Sequence, residues 1–157
     1  MNKYKVLFAD LDGTLIDTLS GDTFPKGIWD MRIRFDVLDA IRKLKPLCVL
    51  IVTNQGGIEK GFVIRRNFEF KMEYIIRSIQ EFAGCYTEYS YCESNNKASR
   101  YRKPNTGMLE SLLVKCMRHL FRADNITKDD CLMIGDASGK EGQFSDSDKK
   151  NRRELWD

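Results

Sequence analysis

The residues best suited to chemistry are two aspartates, Asp10 and Asp12, at the end of a short apolar run. Side chains two residues apart in an extended chain point the same way, so both carboxylates can face one substrate. Two clustered carboxylates repel each other unless a cation lies between them or one of them holds a proton. Gly13 and Thr14 follow directly, and Gly13 allows a sharp turn and a close approach of backbone amides to an anion. This group therefore predicts a cation, a proton-transferring acid and an anionic substrate in one place.

Two other interpretations of the aspartates have to be weighed. A bare Asp-x-Asp pair is more typical of an Asx turn at a strand end, which is a structural role. A calcium loop of the EF-hand type needs a third acidic or amide ligand before its glycine, and that ligand is missing here. The frame Asp-x-Asp-Gly-Thr after an apolar strand favours catalysis over both.

Four short apolar runs alternate with amphipathic helical patterns along the chain. The runs cover residues 6–9, 48–52, 86–91 and 131–134. Runs that are apolar at every position are typical of strands buried on both faces, as in parallel sheets. The alternation predicts an α/β fold in which a central parallel sheet is flanked by helices.

The helical patterns cover residues 37–44, 72–82 and 109–121, with Asp36 as the expected N-cap of the first and Gly84 closing the second. No repeat, low-complexity tract or linker is present, so one domain is predicted over residues 1–157. A Gly-, Ser- and Lys-rich loop follows Asp136, and a short helix is predicted over residues 146–156. No further strand follows, so we expect either that the last edge strand is absent or that the chain is truncated.

Polar residues close three of the four apolar runs. The first run ends at Asp10 and Asp12, the second at residues 53–56 and the fourth at Gly135 and Asp136. Ligands of open parallel sheets bind outside the carboxyl ends of the strands. We therefore expect these polar groups to converge on one cleft.

Composition sets only broad limits on function. The 157 residues include 26 Lys and Arg against 23 Asp and Glu, and a net charge of +3 permits an anionic substrate without demanding one. No early apolar run is typical of a signal peptide, and no stretch approaches a membrane span. The five cysteines form no CxxC, and the chain has a single histidine. This pattern predicts reduced thiols in an intracellular, cytoplasmic protein and argues against a zinc site.

The motifs resemble those of a known superfamily. Residues 10–15, Asp-Leu-Asp-Gly-Thr-Leu, resemble the first motif of the haloacid dehalogenase (HAD) superfamily. Thr53-Asn54 is similar to the second motif, Lys103 to the third and Gly135-Asp136 to the fourth, in order and over nearly the whole chain. The resemblance implies a three-layer, Rossmann-like HAD fold of the subfamily III type, and the chain is too short for a large cap domain.

A closer resemblance is to the phosphatase domain of polynucleotide kinase 3′-phosphatases. It is carried by residues 21–33, 53–58, 101–108 and 135–140, and by Phe144, Ser145 and Asp148. Many small-molecule HAD phosphatases have a second aspartate four residues after the first aspartate of the fourth motif, whereas this chain has Lys140 there. No Gly-x-x-x-x-Gly-Lys-Ser/Thr motif occurs, so 5′-kinase activity is not expected of this chain.

The resemblance implies a role for each motif residue. Asp10 would attack phosphorus, and Asp12 would act as general acid and then as general base. Mg²⁺ would be held by the Asp10 carboxylate, the Asp12 backbone carbonyl and Asp136. The implied phosphate-binding groups are the amides of Gly13 and Thr14, together with Thr53, Asn54 and Lys103. Thr53 and Lys103 complete the implied catalytic set.

The resemblance implies a monomeric, Mg²⁺-dependent phosphatase that removes 3′-phosphate from DNA ends, with no membrane or protein partner. Only the segment over residues 16–27, expected to form a hairpin, and the loop over residues 54–62 could shield the site. Arg100, Tyr101 and Arg102 are candidate substrate contacts, although a solvated basic loop with a packed tyrosine explains them equally well. Two alternatives stay open: a phosphatase of sugar or histidinol phosphates, and a non-catalytic nucleic-acid-binding module.

Overall fold

The computed structural model describes residues 4–120 and 126–135. The elements in chain order are β1 (Val6–Ala9), β2 (Ile16–Asp17), β3 (Arg32–Ile33), α1 (Phe35–Leu44), β4 (Cys48–Asn54), α2 (Gly56–Glu59), α3 (Arg65–Ala83), β5 (Tyr86–Cys92), α4 (Gly107–His119) and β6 (Cys131–Ile134). A single 3-10 turn, Lys128–Asp130, precedes β6. Asp136 and the helix predicted over residues 146–156 lie outside the described residues.

A four-stranded parallel sheet in the order β5-β4-β1-β6 forms the centre of the structure. Successive side chains of a strand face opposite sides of a sheet. Leu7 and Ala9 therefore pack with the buried residues of α1 and α3, while Val6 and Phe8 pack with those of α4. The sheet has helices on both faces, which confirms the predicted α/β fold with a central parallel sheet. The four predicted strands are all present.

The ends of two helices test the capping predictions. The predicted N-cap Asp36 is wrong, because α1 begins at Phe35 and Arg34 takes the N-cap position without a side-chain cap. Asp36 lies in the first turn instead, where a carboxylate is favourable to the helix dipole, and Arg34 donates to it at 3.0 Å. Helix α3 ends as predicted at Gly84, whose φ of 70° belongs to the left-handed region that glycine adopts readily.

Strands β2 and β3 form a short antiparallel hairpin, and its connecting segment is organised around one buried carboxylate. Asp30 accepts hydrogen bonds from the Ser20 hydroxyl at 2.6 Å, the Ser20 amide at 2.7 Å and the Lys26 amide at 2.9 Å. These bonds, that of the Ser20 hydroxyl foremost, lower the pKa of Asp30 to about 2. The hairpin segment is thus held by its own polar groups.

The cysteines differ from the prediction. Cys48 of β4 and Cys116 of α4 form a disulfide across 68 residues of sequence, so the prediction of five reduced thiols is wrong for this pair. Both residues lie in the core between the sheet and α4, where the fold brings them into contact. Cys85, Cys92 and Cys131 are buried and lie outside this disulfide. No helix of the described residues is long and apolar enough to span a membrane.

Candidate active site

The candidate site lies at the carboxyl ends of β1 and β4. Asp10 follows β1 directly, and its amide donates to the carbonyl of Ile134 at 3.0 Å, so the pairing of β1 with β6 extends to this residue. Thr53 is buried near the end of β4. Because the two strands are parallel neighbours, both side chains lie at the same edge of the sheet.

The turn after Asp12 places the buried side chain of Thr14 beside the site. The backbone amides of this turn form hydrogen bonds within the turn itself. Gly13 has a φ of 76°, which favours glycine, and its amide donates to the carbonyl of Ile16 at 2.9 Å. The amide of Thr14 donates to the carbonyl of Leu11 at 3.2 Å. Both amides are therefore engaged inside the turn, and the predicted amide contacts to phosphoryl oxygens are not available in this arrangement.

The side-chain hydroxyl of Thr14 is able to form a hydrogen bond to a ligand. It is buried and has no hydrogen-bond partner among the described residues. Buried polar groups are nearly always hydrogen-bonded, so an orphaned hydroxyl calls for an explanation. A phosphoryl oxygen or a water molecule beside the turn would satisfy it. The resemblance implied a phosphate contact through the amide of Thr14, and in this structure the hydroxyl is the group left for that contact.

Lys103 and Asp10 form a buried ion pair. The Lys103 Nζ lies 2.9 Å from the Asp10 Oδ1, and the two side chains are 4% and 11% exposed. The residues are 93 positions apart in sequence, and Lys103 reaches Asp10 from the loop between β5 and α4. A lysine in this position favours the ionised form of the carboxylate, which is the form that a nucleophile needs.

Asn54 holds the main chain of Lys103. Its Oδ1 accepts the Lys103 amide at 2.9 Å, and its Nδ2 donates to the Lys103 carbonyl at 3.2 Å. The side-chain amide is thus engaged with the protein, whereas the sequence predicted a phosphate ligand. Its evident part in this structure is to fix the loop that carries the lysine.

Gln55 contacts two predicted catalytic residues, and the sequence analysis gave it no role. Its Nε2 donates to the Asp12 Oδ2 and to the Thr53 Oγ1, each at 2.9 Å. A signal was present, because Thr53 and Gln55 are two apart at a strand end and so point to the same side. The structure therefore brings Asp10, Asp12, Thr53 and Lys103 together through direct contacts and through Gln55.

The donor set of this cluster is suited to a hard cation. Asp10 and Asp12 supply carboxylate oxygens, and Mg²⁺ prefers oxygen ligands with few from the protein. The described residues contain no group of three or more His, Cys, Asp or Glu that could hold a metal. The third predicted ligand, Asp136, lies outside them. The residues present fit Mg²⁺ in type, and the complete ligand set stays a prediction.

The candidate substrate contacts have partners elsewhere. Arg100 donates to Glu110 at 2.7 Å, and this bond raises the pKa of Arg100. Arg102 donates to the carbonyl of Ser94 at 3.1 Å, while Tyr101 is half exposed. None of these contacts reaches the carboxylates, so the role of the three residues in binding substrate stays a prediction.

A cavity of about 430 Å³ lies behind the turn, and it is distinct from the carboxylate cluster. Gly13 and Thr14 line one end, and apolar residues of α1, β1 and β6 line most of the rest. Asp10, Asp12 and Lys103 are absent from the described residues that line it. The predicted catalytic residues therefore belong to the strand-end cluster and not to this cavity.

Comparisons with known proteins agree with this geometry. The family model described as polynucleotide kinase 3 phosphatase matches residues 5–154. The chain is 31% identical over 162 residues to an uncharacterised 20.8 kDa protein of Autographa californica nuclear polyhedrosis virus, covering 96% of this chain and 79% of that protein. It is 30% identical over 151 residues to the bifunctional polynucleotide phosphatase/kinase of Schizosaccharomyces pombe, covering 93% of this chain and 33% of that enzyme. The chain thus spans about a third of the yeast relative.

A solved structure shows the same fold. The D,D-heptose 1,7-bisphosphate phosphatase of B. bronchiseptica, solved with magnesium and phosphate, superposes with a TM-score of 0.68 at 19% identity. The match covers 97% of this chain and 76% of that one. At this identity the likeness establishes the fold and leaves the substrate open. With the family match over nearly its whole length, the chain belongs to the polynucleotide kinase 3′-phosphatase family of HAD-like phosphatases.

Proposed function

We propose that this chain is a Mg²⁺-dependent phosphatase that removes 3′-phosphate groups from DNA ends through a phospho-aspartate on Asp10. The observation that carries the proposal is the buried pair of Asp10 and Lys103, with Asp12 held beside it. The family match and the name of the yeast relative support a polynucleotide substrate.

In the first step the Asp10 carboxylate attacks phosphorus, and the bond from phosphorus to the leaving oxygen breaks. Lys103 keeps the nucleophile ionised and lies next to the charge of the group being transferred. Asp12 gives its proton to the leaving oxygen, so that the DNA product departs as a 3′-hydroxyl. The phosphoryl group is then an acyl phosphate on Asp10.

In the second step Asp12, now ionised, takes a proton from a water molecule as that water attacks phosphorus. The bond between phosphorus and the Asp10 oxygen breaks, inorganic phosphate leaves and both carboxyl groups return to their starting forms. Thr53 and the buried hydroxyl of Thr14 are the proposed donors to the phosphoryl oxygens in both steps.

Mg²⁺ would be held by the Asp10 carboxylate, the Asp12 carbonyl and Asp136. When bound, it would offset the repulsion between an anionic nucleophile and a phosphate dianion. Among the described residues Lys103 pairs with Asp10, and a second carboxylate together with a phosphate dianion would bring further negative charge that such a cation would offset.

The end of a polymer is the proposed occupant of the site. The elements available to cover it are the β2–β3 hairpin and the loop around α2, and both carry exposed aromatic rings. Phe24 of the hairpin is 80% exposed and Phe62 after α2 is 82% exposed. Proteins that bind single-stranded nucleic acids use such rings to stack on bases. Arg100, Tyr101 and Arg102 are proposed to contact the flanking strand.

One assay tests the proposal. Phosphate release is measured from 3′-phosphorylated and 5′-phosphorylated oligonucleotides of the same sequence and from a panel of sugar phosphates, with Mg²⁺ and with EDTA. We expect release from the 3′-phosphate alone, lost in EDTA and in Asp10→Asn. Faster release from the sugar phosphates would assign a small-molecule substrate. Tight binding of the oligonucleotide without turnover would indicate a non-catalytic module, and full activity of Asp10→Asn would overturn the mechanism.

A further inference from the structure

We infer that Gln55 is a positioning residue for the general acid Asp12 and for the phosphate-binding hydroxyl of Thr53. The inference rests on the proposed function and adds a residue to it. Gln55 joins two groups that the first and second motifs supply from different strands, and it lies 2.9 Å from an oxygen of each.

The chemistry of the amide fixes the direction of both hydrogen bonds. With the proton of the general acid on the other oxygen of Asp12, the Oδ2 only accepts, so the Gln55 atom that faces it is the NH₂ group. This group has two hydrogens, which serve the Asp12 Oδ2 and the Thr53 Oγ1 separately. Gln55 thus gives one donor to each partner.

The two hydrogen bonds from Gln55 orient Asp12 and Thr53 for their parts in the reaction. Gln55 donates to the Asp12 Oδ2, which leaves the other oxygen of the carboxyl group, Oδ1, for the proton transfer. The Thr53 oxygen accepts from Gln55, so the hydroxyl keeps its own hydrogen for a further acceptor, such as a phosphoryl oxygen. One side chain therefore sets the geometry of acid–base chemistry and of phosphate binding together.

The backbone of Gln55 is held firmly enough for this role. Its amide donates to the carbonyl of Cys92 at 2.7 Å, and its carbonyl accepts the amide of Ile58 at 3.1 Å. The next residue, Gly56, accepts from the Asn95 side chain at 2.9 Å, and a Cβ at this position would overlap that side chain. A fixed backbone places the amide without the entropy loss of ordering a mobile loop.

The test exploits the need for a proton on the leaving oxygen. A nucleic-acid 3′-alkoxide is a poor leaving group that needs the proton of Asp12, whereas p-nitrophenolate leaves without one. Gln55→Met keeps the length of the side chain and removes both donors. We expect kcat/KM to fall about 10- to 100-fold on the 3′-phosphorylated oligonucleotide and less than about 5-fold on p-nitrophenyl phosphate. Asp12→Asn should show the same pattern more strongly.

The ratio of the two kcat/KM values is the deciding quantity, because it does not depend on the fraction of folded enzyme. Gln55→Glu, of the same length but with an acceptor facing Asp12, should change the ratio at least as much. Gln80→Met is the matched control, since the Gln80 side chain donates to the carbonyl of Thr87 away from the site, and its ratio should equal that of the wild type.

Equal losses on both substrates in Gln55→Met would overturn the role of Gln55 at Asp12, and no loss on either would overturn its roles at Asp12 and Thr53, while Asp10→Asn and Asp12→Asn still report on the proposed mechanism. If the wild-type enzyme acts on sugar phosphates and not on the oligonucleotide, the proposed substrate is wrong. The same ratio is then measured with the best alkyl phosphate of the panel, so the role of Gln55 is decided in either case.

Discussion

The side-chain amide of Asn54 makes two hydrogen bonds to the main chain of Lys103, one as acceptor and one as donor. The two residues are 49 positions apart in sequence, and the contact joins the end of β4 to the loop before α4. Lys103 in turn lies against the proposed nucleophile, Asp10. The position of the cation therefore depends on an uncharged residue of another strand.

Replacing Asn54 should release that loop. We expect Asn54→Ala to lower kcat on the phosphate substrate about 10- to 100-fold, because a displacement of the order of 1 Å at a catalytic group is enough for such a loss. Asn96→Ala is the control, since the Asn96 side-chain Oδ1 accepts the nearby amide of Ala98 in an exposed turn. Steady-state kinetics of both variants checks the prediction, and an unchanged kcat in Asn54→Ala would contradict it.

Removing the charge of Lys103 should affect stability and activity together. Lys103→Met leaves the Asp10 carboxylate buried beside an apolar chain, and breaking a buried pair in this way lowers the free energy of unfolding by about 3 kcal/mol. The rate should fall at least ~10²-fold, because charge stabilisation at the transferring group is lost. Urea denaturation and phosphate release measure the two effects.

A double variant separates these effects. Asp10→Asn added to Lys103→Met removes the unpaired carboxylate, so most of the lost stability should return while activity stays absent. Lys115→Met is the surface control, since its pair with Glu88 is exposed and an exposed pair contributes little. A double variant as unstable as Lys103→Met would show that the charge of Asp10 is not the cause.

The hairpin segment should lose stability at low pH. The pKa of Asp30 in the folded protein is about 2, below its ordinary value, so its stabilising effect is present above that ordinary value and is lost as pH falls through about 2. The stability difference between wild type and Asp30→Asn should therefore shrink below pH 4 and vanish near pH 2. Urea denaturation from pH 6 to pH 2 checks this expectation.

A matched control for Asp30 lies in the same segment. The exposed carboxylate of Asp22 pairs with Lys26 at 3.5 Å, and Asp22→Asn should follow the wild type across this range. A constant difference between wild type and Asp30→Asn at every pH would mean that the carboxylate is not the group that holds the segment.

The cysteine pairing leads to a direct chemical test. Unfolded under non-reducing conditions, the protein should show three titratable thiols, those of Cys85, Cys92 and Cys131, and five after reduction. Reduction should lower the free energy of unfolding by about 2–4 kcal/mol, as for disulfides that close long loops. Cys116→Ser should show four thiols without reduction. Five thiols in the unreduced wild type would contradict the pairing.

The sequence could predict β1, β4 and β6 because each contains an unbroken apolar run, such as Val6–Ala9 before Asp10. The run in β5 is a weaker signal, because Thr87, Glu88 and Ser90 interrupt it. Motif residues at the strand ends could likewise be placed at one edge of the sheet. The contacts of Asn54 with Lys103, of Gln55 with Asp12 and of Cys48 with Cys116 could not be predicted in this way. These three contacts join residues that are 43 to 68 positions apart in sequence. Which residues meet depends on the paths of the connecting loops, and the hydrophobic periodicity of the sequence does not determine those paths.

The hydrogen bonds of the Asn54 side chain to residue 103 join main-chain atoms of that residue. These two bonds therefore do not depend on the side chain at position 103. The position is consequently open to chemical editing: a cysteine introduced there could be aminoethylated to an analogue of lysine with the loop still in place. Ammonium groups of graded basicity or reach could then be installed at one point of the pocket, making residue 103 an adjustable probe of charge in the reaction.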